Sequence, residues 1–196
     1  MANVITRKGE VVQDPPFVQK LLSDPRAGWL WLPLRIWLGY QWLEAGSHKI
    51  TDPKWMQTGE SLQGFWTRAV AIPETGRPPI TYDWYRTFLQ TLLDAQAYTW
   101  FAKLVAVGEV LVGIGLIVGA FAGIAAFFGG FMNWNFMLAG SSSSNPMLFA
   151  VAVLLILAWK VSGYIGADYF LLRWIGTPWH GTPAPTTPKP QPVPTQ

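Results

Sequence analysis

The sequence predicts an all-α integral membrane protein, a four-helix transmembrane bundle with amphipathic interfacial helices between its first and second helices. One observation is the run from Val110 to Trp159, which contains no Asp, Glu, Lys or Arg. As one helix this run would be about 75 Å long, whereas a hydrocarbon core is roughly 30 Å thick, so we expect it to fold back on itself. The other is the composition, in which 51% of the residues are apolar and the mean hydropathy is +0.23.

Charge and cysteine content narrow the classes of function and of partner. The net charge is +3, but Lys and Arg are scattered and form no concentrated basic face, so we expect no nucleic-acid partner. A weak positive bias suits anionic membrane lipids better. Without Cys, the chain has no disulfide and no Cys metal site, and with two His we expect no bis-histidine haem ligation. Rossmann and P-loop glycine patterns are also missing, so no cofactor can be read from the sequence.

Residues 1–27 form a polar segment that we place on the cytoplasmic side. The segment contains four basic residues and lacks the apolar core and cleavage site of a secretory signal, so the first membrane helix is expected to act as an uncleaved signal. A short interfacial helix around Pro16–Ser23 is expected to end at Asp24-Pro25, because the residue before a proline disfavours helical backbone. The first transmembrane helix follows over about 29–46.

The interval 47–96 is polar, but apolar side chains recur in it at helical spacing. We therefore expect two amphipathic helices in the membrane interface, joined by a turn over Ile72–Ile80, where three prolines occur. The second of these helices is expected to continue into the second span. The residues at helical spacing are Trp55, Leu62, Phe65, Trp66 and Ala69, and then Tyr85, Phe88, Leu89, Leu92 and Leu93.

Three further spans are expected at about 97–118, 120–140 and 146–172. They complete a four-helix domain over 28–174, which a Pro-rich disordered tail follows over 175–196. Four spans place both termini on one side of the membrane, and the positive-inside rule makes that side the cytoplasm. We expect a multi-pass protein of a bacterial or archaeal cell membrane.

Five ionisable residues are predicted to lie inside the spans, where an unpaired charge costs about 3 kcal/mol or more. Converted to depth at about 1.5 Å per residue, Arg35, Glu109 and Lys160 fall near one level and could meet, whereas Glu44 and Lys103 form a second candidate pair. One interpretation is a network of ion pairs that holds the helices together. The other is a polar site with excess positive charge, suited to an anion or a quinone carbonyl, in which Glu109 carries protons.

Several other polar residues are candidates for structural or ligand contacts. Asn133 and Asn135 are expected to bridge helices, with ligand contact as the alternative, because amides at membrane depth need partners. His48 and Lys49 follow helix one and could attract an anion at the outer face, or simply be solvated. Asp168 is expected at the cytoplasmic interface as a cap or as the partner of a basic residue.

Four sets of spaced residues, one in each predicted span, resemble the motifs of the DoxX/DoxD family. The similarity covers about Asp24 to Trp174, and the sets occur in the order that the family has them. They are Pro25 to Arg35 with Gly39, Leu43 to Gly46 and Lys49; Gly108 and Glu109 with Gly113 and Gly119; Asn133 to Asn145; and Gly163 to Asp168.

The resemblance implies the membrane subunit of a thiosulfate:quinone oxidoreductase, which is the role of DoxD. That enzyme joins two thiosulfates as tetrathionate and passes the electrons to quinone. No DoxA-like domain follows helix four, so a partner is expected to supply part of the site. The residues that match family motif positions are Arg35, Glu44, Lys49, Glu109, Asn133, Asn135 and Asp168.

Two functions from different classes follow from these observations. In the first, the chain is the quinone-reactive membrane subunit of such a system, and quinone is a substrate that enters between aromatic-lined helices. In the second, it is a noncatalytic accessory subunit of a respiratory or photosynthetic membrane complex; a small-solute carrier is a third function, which no inverted repeat supports. For the first function, the predicted catalytic residues are Glu109, Arg35 and Asp168, and the predicted substrate-binding residues are His48, Lys49, Glu44, Lys103, Asn133, Asn135 and Lys160.

Overall fold

The computed structural model describes residues 4–5, 11–12 and 14–175, and these residues are predominantly helical. The predicted all-α class is therefore confirmed. A two-residue strand β1 (Val4–Ile5) pairs antiparallel with β2 (Val11–Val12). A 3-10 turn occupies Pro25–Ala27. The helices are α1 (Pro16–Ser23), α2 (Gly28–Thr51), α3 (Pro53–Met56), α4 (Glu60–Val70), α5 (Asp83–Asp94), α6 (Tyr98–Val118), α7 (Ala122–Leu138), α8 (Asn145–Leu157), α9 (Trp159–Ser162) and α10 (Asp168–Ile175).

Helices α2 and α6 pack antiparallel, and glycines set the distance between them. A Cβ added at Gly113 would lie 2.6 Å from the backbone nitrogen of Leu43, and one at Gly46 would lie 2.8 Å from that of Val110. Because the residue numbers rise along one helix as they fall along the other, Leu43 is level with Gly113 and Gly46 is level with Val110. Small residues that let two backbones approach closely are typical of helix pairs in membranes.

Helices α7 and α8 complete a closed set of helix contacts with α2 and α6. α6 packs against α7, α7 against α8, and α8 against α2. The first hydrophobic core lies between them and contains fully buried Leu38, Leu116, Ala126 and Leu155, one residue from each helix. Each of the four helices therefore buries one face and leaves the opposite face exposed.

A second hydrophobic core lies under the hairpin that α4 and α5 form. Leu62 and Trp66 of α4 and Leu89 of α5 pack there against Ala102 of α6. The two amphipathic helices that the sequence predicts are thus present. The prediction that the second of them continues into the next span is wrong, because residues 95–97 form a turn in which Gln96 has φ 52.

The segment predicted as one helix over 146–172 is broken into α8, α9 and α10. Two glycines lie in the stretch 163–167, where the helix is interrupted, and the carbonyls left without helical partners there accept hydrogen bonds from Arg35. Its guanidinium donates to the oxygen of Ser162 at 3.2 Å and to that of Ile165 at 2.9 Å. The buried arginine therefore stabilises the break.

Among the described residues, one helix is both long and apolar enough to cross a membrane by length and composition. That helix is α6, with 21 residues and a mean hydropathy of 2.2, whereas α8 is apolar but shorter. The core helix of a soluble protein would satisfy the same criteria, so this feature alone only weakly indicates a membrane location. Of the predicted Pro-rich tail, residues 176–196 lie outside the described residues.

Candidate functional site

An ion pair between Lys49 and Glu109 lies where the end of α2 meets the middle of α6. The Lys49 Nζ donates to both carboxylate oxygens of Glu109, at 2.6 Å to Oε1 and 2.5 Å to Oε2. Glu109 is buried, with 1% of its side chain exposed, whereas 21% of the Lys49 side chain is exposed. The close approach depends on Gly46, because a Cβ at that position would lie 3.0 Å from the Cβ of Glu109.

Aromatic rings surround the ammonium group of Lys49. The Nζ atom lies 5.0 Å from the ring centroid of Trp55 and 5.8 Å from that of Phe136. Both distances are in the range of a cation–π contact. Asn133 lies about one turn before Phe136 on α7, is fully buried, and makes no side-chain hydrogen bond to any part of the chain that the structure describes. A charged pair and two rings thus lie together where α2, α3, α6 and α7 meet, and an amide without a partner among the described residues is buried one turn away on α7.

An apolar groove of about 720 Å³ lies near this charged pair, although neither Lys49 nor Glu109 lines it. It lies between the α4–α5 hairpin on one side and α6 and α7 on the other. Phe136 belongs both to the wall of the groove and to the surroundings of Lys49. The groove and the ion pair are therefore neighbours that share one aromatic ring, that of Phe136. The other aromatic residues of its wall are Phe65, Trp66, Tyr85, Phe88, Phe101, Phe121, Phe128 and Phe131.

A hydrogen bond across the groove joins α5 to α7. The Tyr85 hydroxyl donates to the backbone oxygen of Asn135 at 3.0 Å and lies 3.2 Å from its Oδ1, while the Asn135 amide donates to the Phe131 oxygen at 2.8 Å. Burial raises the pKa of Tyr85 to about 12, so the hydroxyl keeps its proton and remains a donor at neutral pH. This bond positions the α4–α5 hairpin over the groove.

We expect Tyr85→Phe to lower the free energy of unfolding by about 1 kcal/mol, the usual contribution of one hydrogen bond. Tyr82→Phe, which removes an exposed hydroxyl, is the matched control. Unfolding in mixed detergent micelles measures both variants. Folding raises the pKa of Tyr85 from 10.0 to about 12. The stabilisation that protonated Tyr85 gives the folded protein is therefore present below pH 10 and is lost as the pH rises through about 12. Equal losses in the two variants would contradict the bond's role.

A second buried charged group joins the turn between α6 and α7 to the start of α10. The Asp168 carboxylate accepts from the backbone nitrogens of Phe121 at 2.5 Å and of Ala122 at 2.8 Å. A carboxylate at a helix N-terminus satisfies free N–H groups and is stabilised by the helix dipole. The side chains of Arg35 and Asp168 are both 1% exposed, and Arg35 lies close enough to interact with Asp168 electrostatically. Their hydrogen bonds give both residues a structural role at this end.

The predicted meeting of Arg35, Glu109 and Lys160 does not occur. Arg35 bonds to backbone carbonyls, Glu109 pairs with Lys49, and Lys160 is half-buried and forms no ion pair within the described residues. The register of α2 against α6 is the reason. With Gly46 next to Glu109, Arg35 lies 11 residues away along α2, which is about 16 Å at 1.5 Å per residue.

The predicted pair of Glu44 and Lys103 does not form either. Both residues are exposed, and no ion pair joins them in the described part of the chain. His48 is exposed as well, although its neighbour Lys49 turns inward. The structure therefore brings Lys49 and Glu109 together, Arg35 and Asp168 to another region, and Asn135 to the groove. Asn133 is buried on α7, and the remaining predicted site residues lie apart.

The sequence contains a signal that would have placed Lys49 inside the bundle. Buried positions of α2 recur at Arg35, Leu38, Trp42 and Gly46, at intervals of three and four residues. The next position in this series is 49. The prediction placed Lys49 beyond the helix because it ended helix one at 46, whereas α2 continues to Thr51. The aromatic partners Trp55 and Phe136 were missed for the same reason.

Comparison of the chain with protein-family models, with curated proteins and with solved structures found no match. The resemblance to the DoxX/DoxD family therefore stays a prediction. What the described residues offer chemically is an apolar, aromatic groove with an ion pair nearby whose carboxylate is buried.

Proposed function

We propose that the chain is a DoxX/DoxD-like integral membrane protein in which α2, α6, α7 and the segment from α8 to α10 cross the membrane as a four-helix bundle. The distribution of residues supports this placement because it is the reverse of that in a soluble protein. Arg35, Glu109, Asn133 and Asp168 are buried. Large apolar side chains are exposed instead: Trp100, Leu104, Val107, Leu111, Ile114 and Val118 on α6, and Ile124, Phe127, Phe128, Phe131 and Trp134 on α7.

Helix length and the positions of basic residues support the orientation. At 1.5 Å per residue, α2 is about 36 Å and α6 about 32 Å long, enough for a hydrocarbon core of roughly 30 Å. Lys20 and Arg26 lie at the end where α2 begins, and α1 also packs against α9, which contains Lys160. We place this end in the cytoplasm by the positive-inside rule. The α4–α5 hairpin then lies in the opposite interface.

We further propose that the groove binds a quinone and that the chain is the quinone-reactive membrane subunit of a thiosulfate:quinone oxidoreductase-type system. The observation that carries this proposal is that Phe136 both lines the groove and lies against the ammonium group of the Lys49–Glu109 pair. The aromatic groove suits an isoprenoid tail, and its volume is in the range of small-molecule sites. The neighbouring ion pair suits a headgroup that gains negative charge and protons.

The reaction assigns different roles to the two charged residues. A quinone takes up two electrons and two protons to become a quinol, and two thiosulfates lose one electron each as a new S–S bond forms tetrathionate. The Lys49 ammonium would stabilise the negative charge that develops on a quinone oxygen. In the ion pair Glu109 is an ionised carboxylate, so it would first take up a proton from water and then pass it to the same oxygen, and the second proton would follow by the same route. A partner subunit would supply the thiosulfate site.

We expect Gly108→Phe to weaken quinone binding by about tenfold or more, because a buried aromatic side chain would fill part of the groove. Gly108 lines the groove, and a Cβ there makes only an ordinary contact, 3.8 Å from the Met132 sulfur, so the backbone need not shift. Val107→Phe is the control, since Val107 is exposed on the outer face of the same turn. Quenching of tryptophan fluorescence by a quinone analogue in proteoliposomes measures binding. Equal affinities in the two variants would count against the groove.

An assay of turnover distinguishes the oxidoreductase function from the accessory function. An exposed aromatic surface on the α4–α5 hairpin, with Tyr82 and Trp84, favours the accessory function, because such a surface suits contact with a larger complex. Thiosulfate-dependent reduction of a quinone analogue is measured with the purified protein alone and with its co-purifying partners. Reduction in either preparation supports the oxidoreductase. No reduction in both, with stoichiometric recovery in an electron-transfer complex, supports the accessory function.

A further inference from the structure

One outward-facing stripe of α2 is polar where the neighbouring helix faces are apolar. Trp37, Tyr40, Glu44, Ser47 and Thr51 are exposed at alternating intervals of three and four residues. This spacing is typical of a helix that packs along its length against another helix. His48 is exposed beside the stripe, one turn after Glu44. Within the described residues, no other helix covers this face.

Glu44 lies at a height where the other helices expose apolar side chains. Leu43 contacts Gly113, so Glu44 is level with residues of α6 between Leu111 and Ile114, both of which are exposed. If α6 crosses the membrane, that height is inside the hydrocarbon core. The Glu44 carboxylate accepts no hydrogen bond and forms no ion pair in the described part of the chain. An ionised side chain facing acyl chains is strongly unfavourable, so this face needs a polar protein partner.

We propose that the partner is a second copy of this chain, packed through α2 about a two-fold axis along the membrane normal. In such a dimer the two α2 helices run parallel and each residue of the stripe lies near its own copy. Glu44 and His48 are four residues apart, a rise of about 6 Å. The Glu44 carboxylate therefore reaches His48 of the partner subunit, and symmetry repeats the contact.

The composition of the stripe favours a copy of itself over an unrelated partner. The stripe contains one acidic side chain, Glu44, and the imidazole of His48 lies beside the stripe one turn away, so this face of α2 is complementary to the same face of a second copy. Ser47 is small enough for close approach of the helices, and the Tyr40 hydroxyl adds a polar group. The dimer depends on the proposed membrane placement but not on quinone binding. A protein that binds no quinone would still be expected to dimerise.

The absence of Cys from the chain makes disulfide cross-linking a direct test. Ser47→Cys places one thiol in the stripe, and Leu111→Cys places one on the lipid-facing side of α6 at nearly the same height. We expect oxidation in native membranes to convert Ser47→Cys to a covalent dimer of the full chain and to leave Leu111→Cys monomeric. Monomeric Ser47→Cys would overturn the proposal, as would equal cross-linking of both variants or cross-linking of Ser47→Cys to a different protein.

Substitution of Glu44 and His48 tests their contact in the same dimer. Glu44→Leu should weaken dimerisation by about tenfold or more, as judged by native mass spectrometry and by the yield of cross-linked Ser47→Cys. The exchange of Glu44→His with His48→Glu in one chain should restore it, because a carboxylate and an imidazole still meet between position 44 of one subunit and position 48 of the other. Lys103→Leu, which removes an exposed charge outside the stripe, is the control. A Glu44→Leu variant that dimerises as well as the parent, or an exchange variant that stays as weak as Glu44→Leu, would overturn the pairing.

Discussion

Lys49→Met will lower the free energy of unfolding by about 3–5 kcal/mol, the usual loss when one partner of a buried ion pair is removed, and on the proposed function it will also abolish quinone binding. The substitution keeps the length of the side chain and its contacts with Trp55 and Phe136. It leaves Glu109 buried without a counterion. Unfolding in mixed detergent micelles and quenching of tryptophan fluorescence by a quinone analogue measure the two effects. Lys103→Met is the control, because Lys103 is exposed and forms no ion pair among the described residues.

A double variant separates stability from function at this pair. Combining Lys49→Met with Glu109→Leu removes both charges, and apolar replacement of a whole buried ion pair is often neutral or stabilising. We expect the double variant to regain most of the lost stability but to bind no quinone. If the double variant bound quinone as the parent does, the pair would be structural only. If Lys49→Met were as stable as Lys103→Met, the buried carboxylate would not need its partner.

Gly119→Ala will reduce the yield of folded protein and will destabilise what folds by at least about 2 kcal/mol, because crowding in a packed interior adds to the strain of a left-handed backbone. Gly119 has φ 72, and a Cβ at this position would overlap the guanidinium of Arg35. The arginine would have to leave the carbonyls of Ser162 and Ile165. Unfolding midpoints in detergent and the recovery of monodisperse protein measure the effect.

Gly76→Ala is the matched control for Gly119→Ala. Gly76 also has a positive φ, of 92, but a Cβ there would meet nothing within 4 Å. The control therefore carries the backbone strain alone, about 1–2 kcal/mol. The difference between the two variants reports the crowding of Arg35. Equal destabilisation in Gly119→Ala and Gly76→Ala would show that Arg35 can move without loss of stability.

Helix positions could be predicted where apolar periodicity and a strong stop signal coincide. The helix Pro16–Ser23 is confirmed, since Asp24-Pro25 ends it as expected, and α7 lies within two residues of the predicted 120–140 at each end. The break after α8 could not be predicted in this way. The break depends on hydrogen bonds from Arg35. Arg35 lies 127 positions before Ser162 in the chain, and the local sequence pattern does not report contacts at that distance.

The candidate site was predictable in its members but not in its pairing. Glu109 stood out as an acidic residue in an apolar helix, and Lys49 was a candidate for its charge. Which cation Glu109 meets depends on the register of α2 against α6, and Gly46 and Gly113 set that register by close backbone contact. The predicted depths assumed that helix one starts level with the end of helix two. In the structure α2 starts beyond the end of α6, and Arg35 lies beside Gly119 in the turn that follows α6.

The long sequence separation of the Arg35 contacts has a consequence for how the protein is made. At roughly 5–20 residues per second, a ribosome needs about 6–25 s to synthesise the stretch between Arg35 and Ser162. During this interval the final acceptors of the Arg35 guanidinium do not yet exist, so the packing around Arg35 is a late event in biogenesis. If α2 crosses the membrane as proposed, the nascent chain depends until then on the insertion machinery or on water and headgroups to solvate that charge.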